Sequence, residues 1–545
     1  MKRILALTLT LALALALALL AACGSQSAPQ TEAPGEQPAE QEQYLNALLT
    51  SEPSVLDVGR CWSLVDRTIL QTITEPLIRI ENGLVTAAGA ESWTLSEDGL
   101  TLTFVLRDNL WSDGQPVTAQ DYLAALQRQA DPENAFANAA DYFPIENFEA
   151  IFNGEMELDT LGVTAPDEKT LVITLGAPNP AFLSSMDLYP CRADLAEQYG
   201  DAYGTEAETV LSCGPFTLNS WVHNSSMEFT RNENYWDKAN VALDHFTYWI
   251  ITDESAQMNS LENGSLDYAA VSSEEYALKF STNSDMYPLS LDNGRTALLV
   301  FNCQDEVFSN MKIRQAFSLA LDRDTLVLIA NGGIGTPAYG LIPHTCYVGD
   351  INYREATTEP LLAVQAANPD PKALLIAGME ELGLGSDPAA LSVSFAYGGT
   401  SAADRTAAEL YQQMWQDTLG VTVTIDFNES TTNSANIRAG NYQIGSVGWG
   451  STYEPQFQIS RWVGGGQSFY INEEFDALVN SAMSNTNDAE RLADYQKAEE
   501  LLVNEAAIAP TFYNGNRTYA YNYVSGIPTN PNDSTAIKTI STAGR

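Results

Sequence analysis

Histidine is almost missing from this chain: three residues in 545, at His223, His245 and His344. Cysteine is sparse too, six in all, and no pair stands in a CxxC spacing, so a zinc site built from imidazole and thiolate is not expected. Lys and Arg total 26 against 70 Asp and Glu, a formal net charge of −44. Nucleic acid, whose phosphates demand a basic face, is excluded as a partner, as is charge-driven docking on anionic lipid. Catalytic signatures are absent as well: no GxSxG, no HExxH and no GxxxxGK[ST]. Gly333-Ile334-Gly335 only mimics a dinucleotide loop, because Pro337 would break the helix that must come after it. His344 and Cys346 read as a loop histidine and a small buried cysteine rather than a nucleophile pair. Paired carboxylates of the glycosidase kind have no fixed spacing, so these residues leave that chemistry open.

What is present is apolar substance: 45% hydrophobic and 10% aromatic residues, enough for sizeable cores in a chain long enough for about three domains or lobes. The acidic balance favours neutral or cationic small ligands without choosing among them. At the start, Lys2-Arg3, a Leu/Ala-rich run over residues 4–20 and Leu20-Ala21-Ala22-Cys23 read as a lipoprotein signal. Residues 1–22 would be removed and Cys23 lipidated; the competing reading is an uncleaved anchor. Residues 23–43, rich in Ser, Gln, Pro, Glu and Ala, read as a flexible tether. No later run is long and apolar enough to span a bilayer, and whether the envelope has one membrane or two stays open. Of the remaining cysteines, Cys61, Cys191, Cys213, Cys303 and Cys346, the pair Cys191 and Cys213 could close a modest loop; the pairing is left open.

From Tyr44 onward, strand-like and helix-like stretches interleave, which makes a mixed α/β protein. Residues 100–106 alternate with period two after the Glu97-Asp98-Gly99 turn, and residues 170–175 repeat the pattern. Thr118 opens a helix with Asp121 in its first turn. Residues 402–419 carry helical periodicity and stop at Gly420, before a strand over 421–425. Residues 490–503 form another long helix with Asp488 as its expected cap.

The run Trp93-Thr94-Leu95-Ser96-Glu97-Asp98-Gly99, then Phe104-Val105-Leu106-Arg107 and Trp111-Ser112-Asp113-Gly114-Gln115-Pro116-Val117-Thr118-Ala119-Gln120-Asp121, resembles family 5 of the bacterial extracellular solute-binding proteins. The resemblance continues at Leu161-Gly162-Val163, Cys213-Gly214-Pro215-Phe216, Asn232-Glu233-Asn234-Tyr235-Trp236, Arg314-Gln315-Ala316, Leu321-Asp322-Arg323 and Gly448-Trp449. Most of these residues are scaffold: Asp113-Gly114 makes a turn, Thr118 caps a helix, and Arg314 and Asp322-Arg323 suit structural ion pairs.

The resemblance implies a periplasmic-binding-protein-like type II fold of the three-domain kind (cluster C), two lobes with an extra subdomain around a hinged cleft. Lobe I would comprise 44–72, 194–295 and 515–545, its extra subdomain 73–193, and lobe II 296–514. The implied function is non-catalytic: capture of oligopeptides by lobe closure and delivery to the permease subunits of an ABC importer. The protein would act without cofactor, as a monomer on the outer face of the cytoplasmic membrane or in the periplasm. The resemblance places the ligand along Trp449, Gly450, Ser451, Thr452, Tyr453 and Glu454. Thr452 stands where relatives have an aspartate for the peptide's amino group, and Ser446 where some have a carboxylate-binding arginine. Arg438 remains as an anion-binding candidate; Asn138 or Tyr142 would supply a cleft side chain from the extra subdomain. Residues 60–64, with Trp62 and Leu64, would form the cleft edge, and Ser272 a further contact. The altered anchors leave room for a non-peptide or modified-peptide ligand. An exported carboxylate-dependent hydrolase is the alternative from a different class.

Overall fold

The computed structural model describes residues 42–545, apart from Trp62, Ser451 and Ala536. The expected signal peptide, Cys23 and nearly all of the tether lie outside the described residues. Gln43, assigned to the tether by composition, belongs to the body Gln43–Arg545. Its backbone N–H donates to Asp244 at 2.8 Å, and its side-chain oxygen accepts from Ser541 and Thr542.

Three larger sheets organise the body. A four-stranded sheet runs in the order Tyr44–Leu49, His245–Ile250, Ser226–Arg231, Phe216–Val222, its first pair parallel. A second has the order Ala90–Leu95, Thr101–Leu106, Thr170–Thr174, Val163–Thr164, all antiparallel. It contains both period-two stretches read from the sequence. The helix Ala119–Ala130 buries Tyr122 and Leu126 in the same hydrophobic cluster, and its Thr118–Asp121 capping box is formed.

The largest sheet is built on two long antiparallel strands, Met286–Phe301 and Ile508–Tyr521. Tyr268–Ala270 pairs with Ile508–Tyr521 toward one end. On the far side of Met286–Phe301 come Ile444–Gly450, Ser392–Gly398 and Thr422–Asn428. Residues 298–301, Leu-Leu-Val-Phe, are buried on both faces, as a continuous apolar run in a central strand should be. Near the middle the second strand loses cover over residues 514–517, and the first, apart from Gly294, is half-buried or exposed over residues 287–295. The pairing breaks at the same level, between Asp292↔Gly515 and Thr296↔Tyr513, so residues 293–295 face Asn514 alone. A bulge of this kind bends and twists a strand locally.

The helix Ala402–Leu419 runs from its Ser401 capping box to Gly420, whose φ of +81° supplies the left-handed stop. The helix expected over 490–503 spans Asp488–Asn504 and is capped by Asn487, not Asp488, because the Asn487 side chain accepts from Ala489 and Glu490. Arg314 and Arg323 are structural, but not as ion pairs. Arg314 donates to the carbonyls of Phe308, Ser309, Glu505 and Ala506, and Arg323 to those of Ala338 and Pro510. Each guanidinium fork thereby ties together backbone segments distant in sequence.

A buried charge knot fixes the large sheet's flank. Glu499 accepts from the backbone of Leu341 at 2.6 Å and Ile342 at 2.9 Å, from Arg354 at 2.5 Å and from Tyr353 at 3.0 Å. Both charged side chains are 1% exposed. Removing one member of such a pair strands the other, so Glu499→Gln is expected to destabilise the body by about 3 kcal/mol, read as a lowered urea midpoint at unchanged slope. No disulfide joins the described cysteines, and four of the five are buried. Burial pushes the Cys191 thiol up to about 11, the nearby Arg128 notwithstanding. At pH 8 a thiol reagent is therefore expected to react slowly with the native body and to titrate five thiols after unreduced denaturation.

Candidate ligand cleft

The strand Ile444–Gly450 carries the site. One edge is paired throughout with Met286–Phe301, from Phe301↔Ile444 to Arg295↔Gly450. The other edge pairs with Ser392–Gly398 only at Ile444 and Gly445. From residue 446 to 450 that edge has no strand partner among the described residues. Two carbonyls of this stretch are met by side-chain amides, Ser446 by Asn433 and Trp449 by Gln458, each at 3.2 Å. The rest of the edge is open sheet.

Two cavities flank the strand and its continuation. One, of about 470 Å³, is lined by Ser446, Gly448, Trp449, Arg295, Tyr397 and Asn433, among others. The second, of about 480 Å³, draws Thr452, Phe457 and Ser460 from one side and Arg67, Asp141 and Ser184 from the other. The latter three belong to, or pack beside, the first two sheets, so this cavity lies between separately packed halves of the body.

On its far wall, Arg67 stands between two carboxylates, Asp141 at 3.7 Å and Asp187 at 3.9 Å. Burial works against the charge of Arg67, but Asp187 and Asp141 more than offset it and hold the guanidinium above its ordinary pKa. On the near wall, Arg461 lies over the rings of Trp449 and Phe457, 4.2 Å and 4.4 Å from their centroids. Phe457 is 45% exposed, an aromatic face offered to whatever enters.

The expected ligand residues are dispersed. Trp449, Gly450, Thr452 and Ser446 are on the strand or its continuation, and Trp449, Thr452 and Ser446 line the cavities. Tyr453 lines the second cavity, but it is buried, stacks on Tyr347 at 5.3 Å and donates to the Gly349 carbonyl at 2.9 Å. Glu454 also lines it, yet its carboxylate is committed to Arg491 at 2.6 Å, and burial pushes its pKa up. Tyr142 is buried and donates to the Asp187 carbonyl, while Asn138 lies 3.5 Å from the Cys61 carbonyl. Leu64 is 80% exposed at the start of the helix Leu64–Ile73 and lines a separate cavity beside Arg67. Arg438 is exposed at the end of the helix Ser430–Arg438, and Ser272 bonds Glu254; neither borders the cavities described. Trp62 and Ser451 lie outside the described residues.

Sequence reasoning missed Arg67, Asp141 and Phe457. Arg67 and Asp141 are ordinary charges in sequence, brought together only by folding. Phe457, three residues after Glu454, carried a signal: an aromatic just past the Gly-Trp segment with no periodic apolar run to explain it.

The sequence profile of the bacterial extracellular solute-binding proteins, family 5 Middle, matches residues 85–470. The oligopeptide-binding protein OppA of Bacillus subtilis is 28% identical over 91% of both chains. The periplasmic oligopeptide-binding protein OppA of Escherichia coli is 27% identical, covering 87% of this chain and 88% of its own. Among solved structures, the unliganded open form of the murein tripeptide-binding protein MppA superposes with a TM-score of 0.81 at 26% identity, covering 92% of this chain and 98% of that one. Haemophilus influenzae OppA in complex with RPPGFSPFR reaches 0.64 at 26% identity, covering 92% and 99%. The fold is thus the type II periplasmic-binding-protein architecture that the motifs implied, and the chain belongs to the bacterial extracellular solute-binding proteins, family 5.

Proposed function

We propose that this protein is the oligopeptide-binding component of an ABC importer, closing two lobes on its ligand and presenting it to a permease. The observation that carries this reading is the open edge of residues 446–450, set between two cavities. An extended peptide supplies the missing strand; its main chain gives affinity, and its side chains project alternately into roomy space. Such binding depends little on side-chain identity. The relatives named for oligopeptides and the match to an unliganded open form support it.

Closure would swing about the two long strands where their pairing breaks, near Thr296 and Gly515, while the chain crosses to and from the extra subdomain near Ile73 and Asp194. A non-catalytic role accords with the state of the carboxylates at the cleft. Glu454 is paired with Arg491, and Asp141 and Asp187 flank Arg67, which leaves none of these three placed as a free acid and base. Anchoring through a lipid on Cys23 and action as a monomer complete the proposal. No helix among the described residues is long and apolar enough to cross a membrane.

Mass spectrometry of material released by denaturation from the purified body should show a ladder of mixed peptides. A single non-peptide species would keep the transport role and replace the cargo. Thr452 is neutral and exposed at the cleft, so a peptide ammonium gains no charge-assisted bond from it. Thr452→Asp is expected to tighten binding of peptides with a free amino terminus by about tenfold, and to leave N-acetylated peptides unchanged, in calorimetric titration.

A further inference from the structure

The bulge in the strand Met286–Phe301 ends at Arg295. Its turn is held by side-chain bonds, Gly294 N–H to Asp292 at 2.8 Å and Arg295 N–H to Asn293 at 3.1 Å. Gly294, at φ +70°, takes the left-handed conformation this needs. On its other edge Arg295 is still paired with Gly450, so its side chain leaves the sheet beside the strand that carries the open edge.

The guanidinium then lies across Gly448. A Cβ at 448 would stand 2.9 Å from both Nε and Nη2 of Arg295, closer than real contacts allow, so the absence of a side chain there is what lets the arginine rest on the strand. Among the described residues Arg295 has no carboxylate within ion-pair distance and no side-chain hydrogen bond. Arg405, Arg438 and Arg461 share that state among the described residues, but of these four arginines Arg295 is the one that lines this cavity, whereas Arg354 and Arg491 are paired and Arg314 and Arg323 are saturated with carbonyls.

The surrounding cavity is equally unfinished. Asn433 is 3% exposed and uses its amide N–H on the Ser446 carbonyl, yet its side-chain oxygen is buried without a partner. The side-chain oxygen of Gln467, on the same cavity wall, is likewise buried and unpartnered. The one carboxylate lining this cavity among the described residues, Asp404, is occupied as a helix cap, accepting from Ser401 N–H at 2.9 Å and its hydroxyl at 2.6 Å. Buried polar atoms without partners are costly: the guanidinium asks for an anion and the two amide oxygens ask for N–H donors, demands that a peptide carrying a carboxylate meets together.

We propose that Arg295 receives a carboxylate of the bound ligand, in the cavity walled by Asn433, Gln467 and Trp449. This makes the protein selective for peptides carrying an anionic group there, either the terminal carboxylate or an Asp or Glu side chain. The inference rests on the peptide reading and adds the orientation and charge of the cargo. A bidentate bond from the guanidinium fits a planar carboxylate, and the ligand's own N–H groups can satisfy the two orphaned amide oxygens.

Three pentapeptide libraries test it: free acids without Asp or Glu, the same sequences as carboxyl-terminal amides, and amides that contain Asp or Glu. Each is offered in excess to the ligand-stripped body, and the retained peptides are quantified by mass spectrometry. The native protein should retain the free acids, or the acidic amides, at least tenfold over the neutral amides. Which of the two is preferred tells the terminal carboxylate from the side-chain source. Arg295→Gln should bring the ratio within about twofold and Arg295→Lys should recover part of it, with melting temperatures unchanged because the side chain is exposed. Equal retention of all three libraries by the native protein, or an undiminished preference in Arg295→Gln, would overturn the role of Arg295 while the peptide reading stood. Retention of no library by the folded, stripped body would overturn both.

Discussion

The pairing of two long strands, Met286–Phe301 with Ile508–Tyr521, is the constraint from which the rest of the molecule hangs. At one end the ladder joins Tyr268–Ala270, and at the other it seats Ile444–Gly450 and the sheet beyond. Hydrogen bonds in such a ladder are individually modest, but they are directional, and they set which residues stand opposite one another. Ile508–Tyr521 is buried toward both ends and uncovered at its middle, where the pairing is broken, while Met286–Phe301 is deeply buried only over its last residues. Closure as proposed needs rigidity inside each half and compliance between them, and a continuous backbone with little cover at the broken pairing would supply both.

The cleft is built by the same withdrawal. Strand Ile444–Gly450 has a neighbour on both sides only at its start, because Ser392–Gly398 parts from it after Gly445. Past that point the strand offers a template of main-chain donors and acceptors, and polar groups that in a core would be a fault gather around it. The side chains of Asn433, Gln467 and Trp449 keep unpartnered atoms there, and Arg461 is stacked on two rings with no counter-charge in ion-pair range among the described residues. Glu499, by contrast, is met by four donors, two from backbone and two from side chains.

The scaffold was legible in the sequence wherever its cause was local. The helix Ala402–Leu419 announces its start and stop through Ser401 and Gly420, and the hairpin strands announce themselves by alternation. Asn487 displaced Asp488 as a cap by one position, a difference only side-chain geometry decides. What was not legible has partners far away along the chain. Arg314 and Arg323 look like surface ion-pair residues until carbonyls 187 to 192 positions distant reach them. Tyr453, Glu454 and Tyr142 are ligand candidates by family resemblance, but Gly349, Arg491 and the Asp187 carbonyl engage them in the fold. The segment around Gly448-Trp449 was found through family resemblance, whereas Arg67, Asp141 and Arg295 take on meaning only in the folded chain.

An unpaired strand edge is ordinarily a hazard, since any extended chain can add to it, including the same edge of another copy. This edge lies recessed between the two cavities, and the body around it carries most of a net charge of −44. Two copies approaching edge to edge would have to overcome that repulsion at short range, while a small peptide of mixed charge would not. The acidic composition does not choose the cargo, but it works against self-association: repulsion between copies falls on an edge that a small guest could still reach.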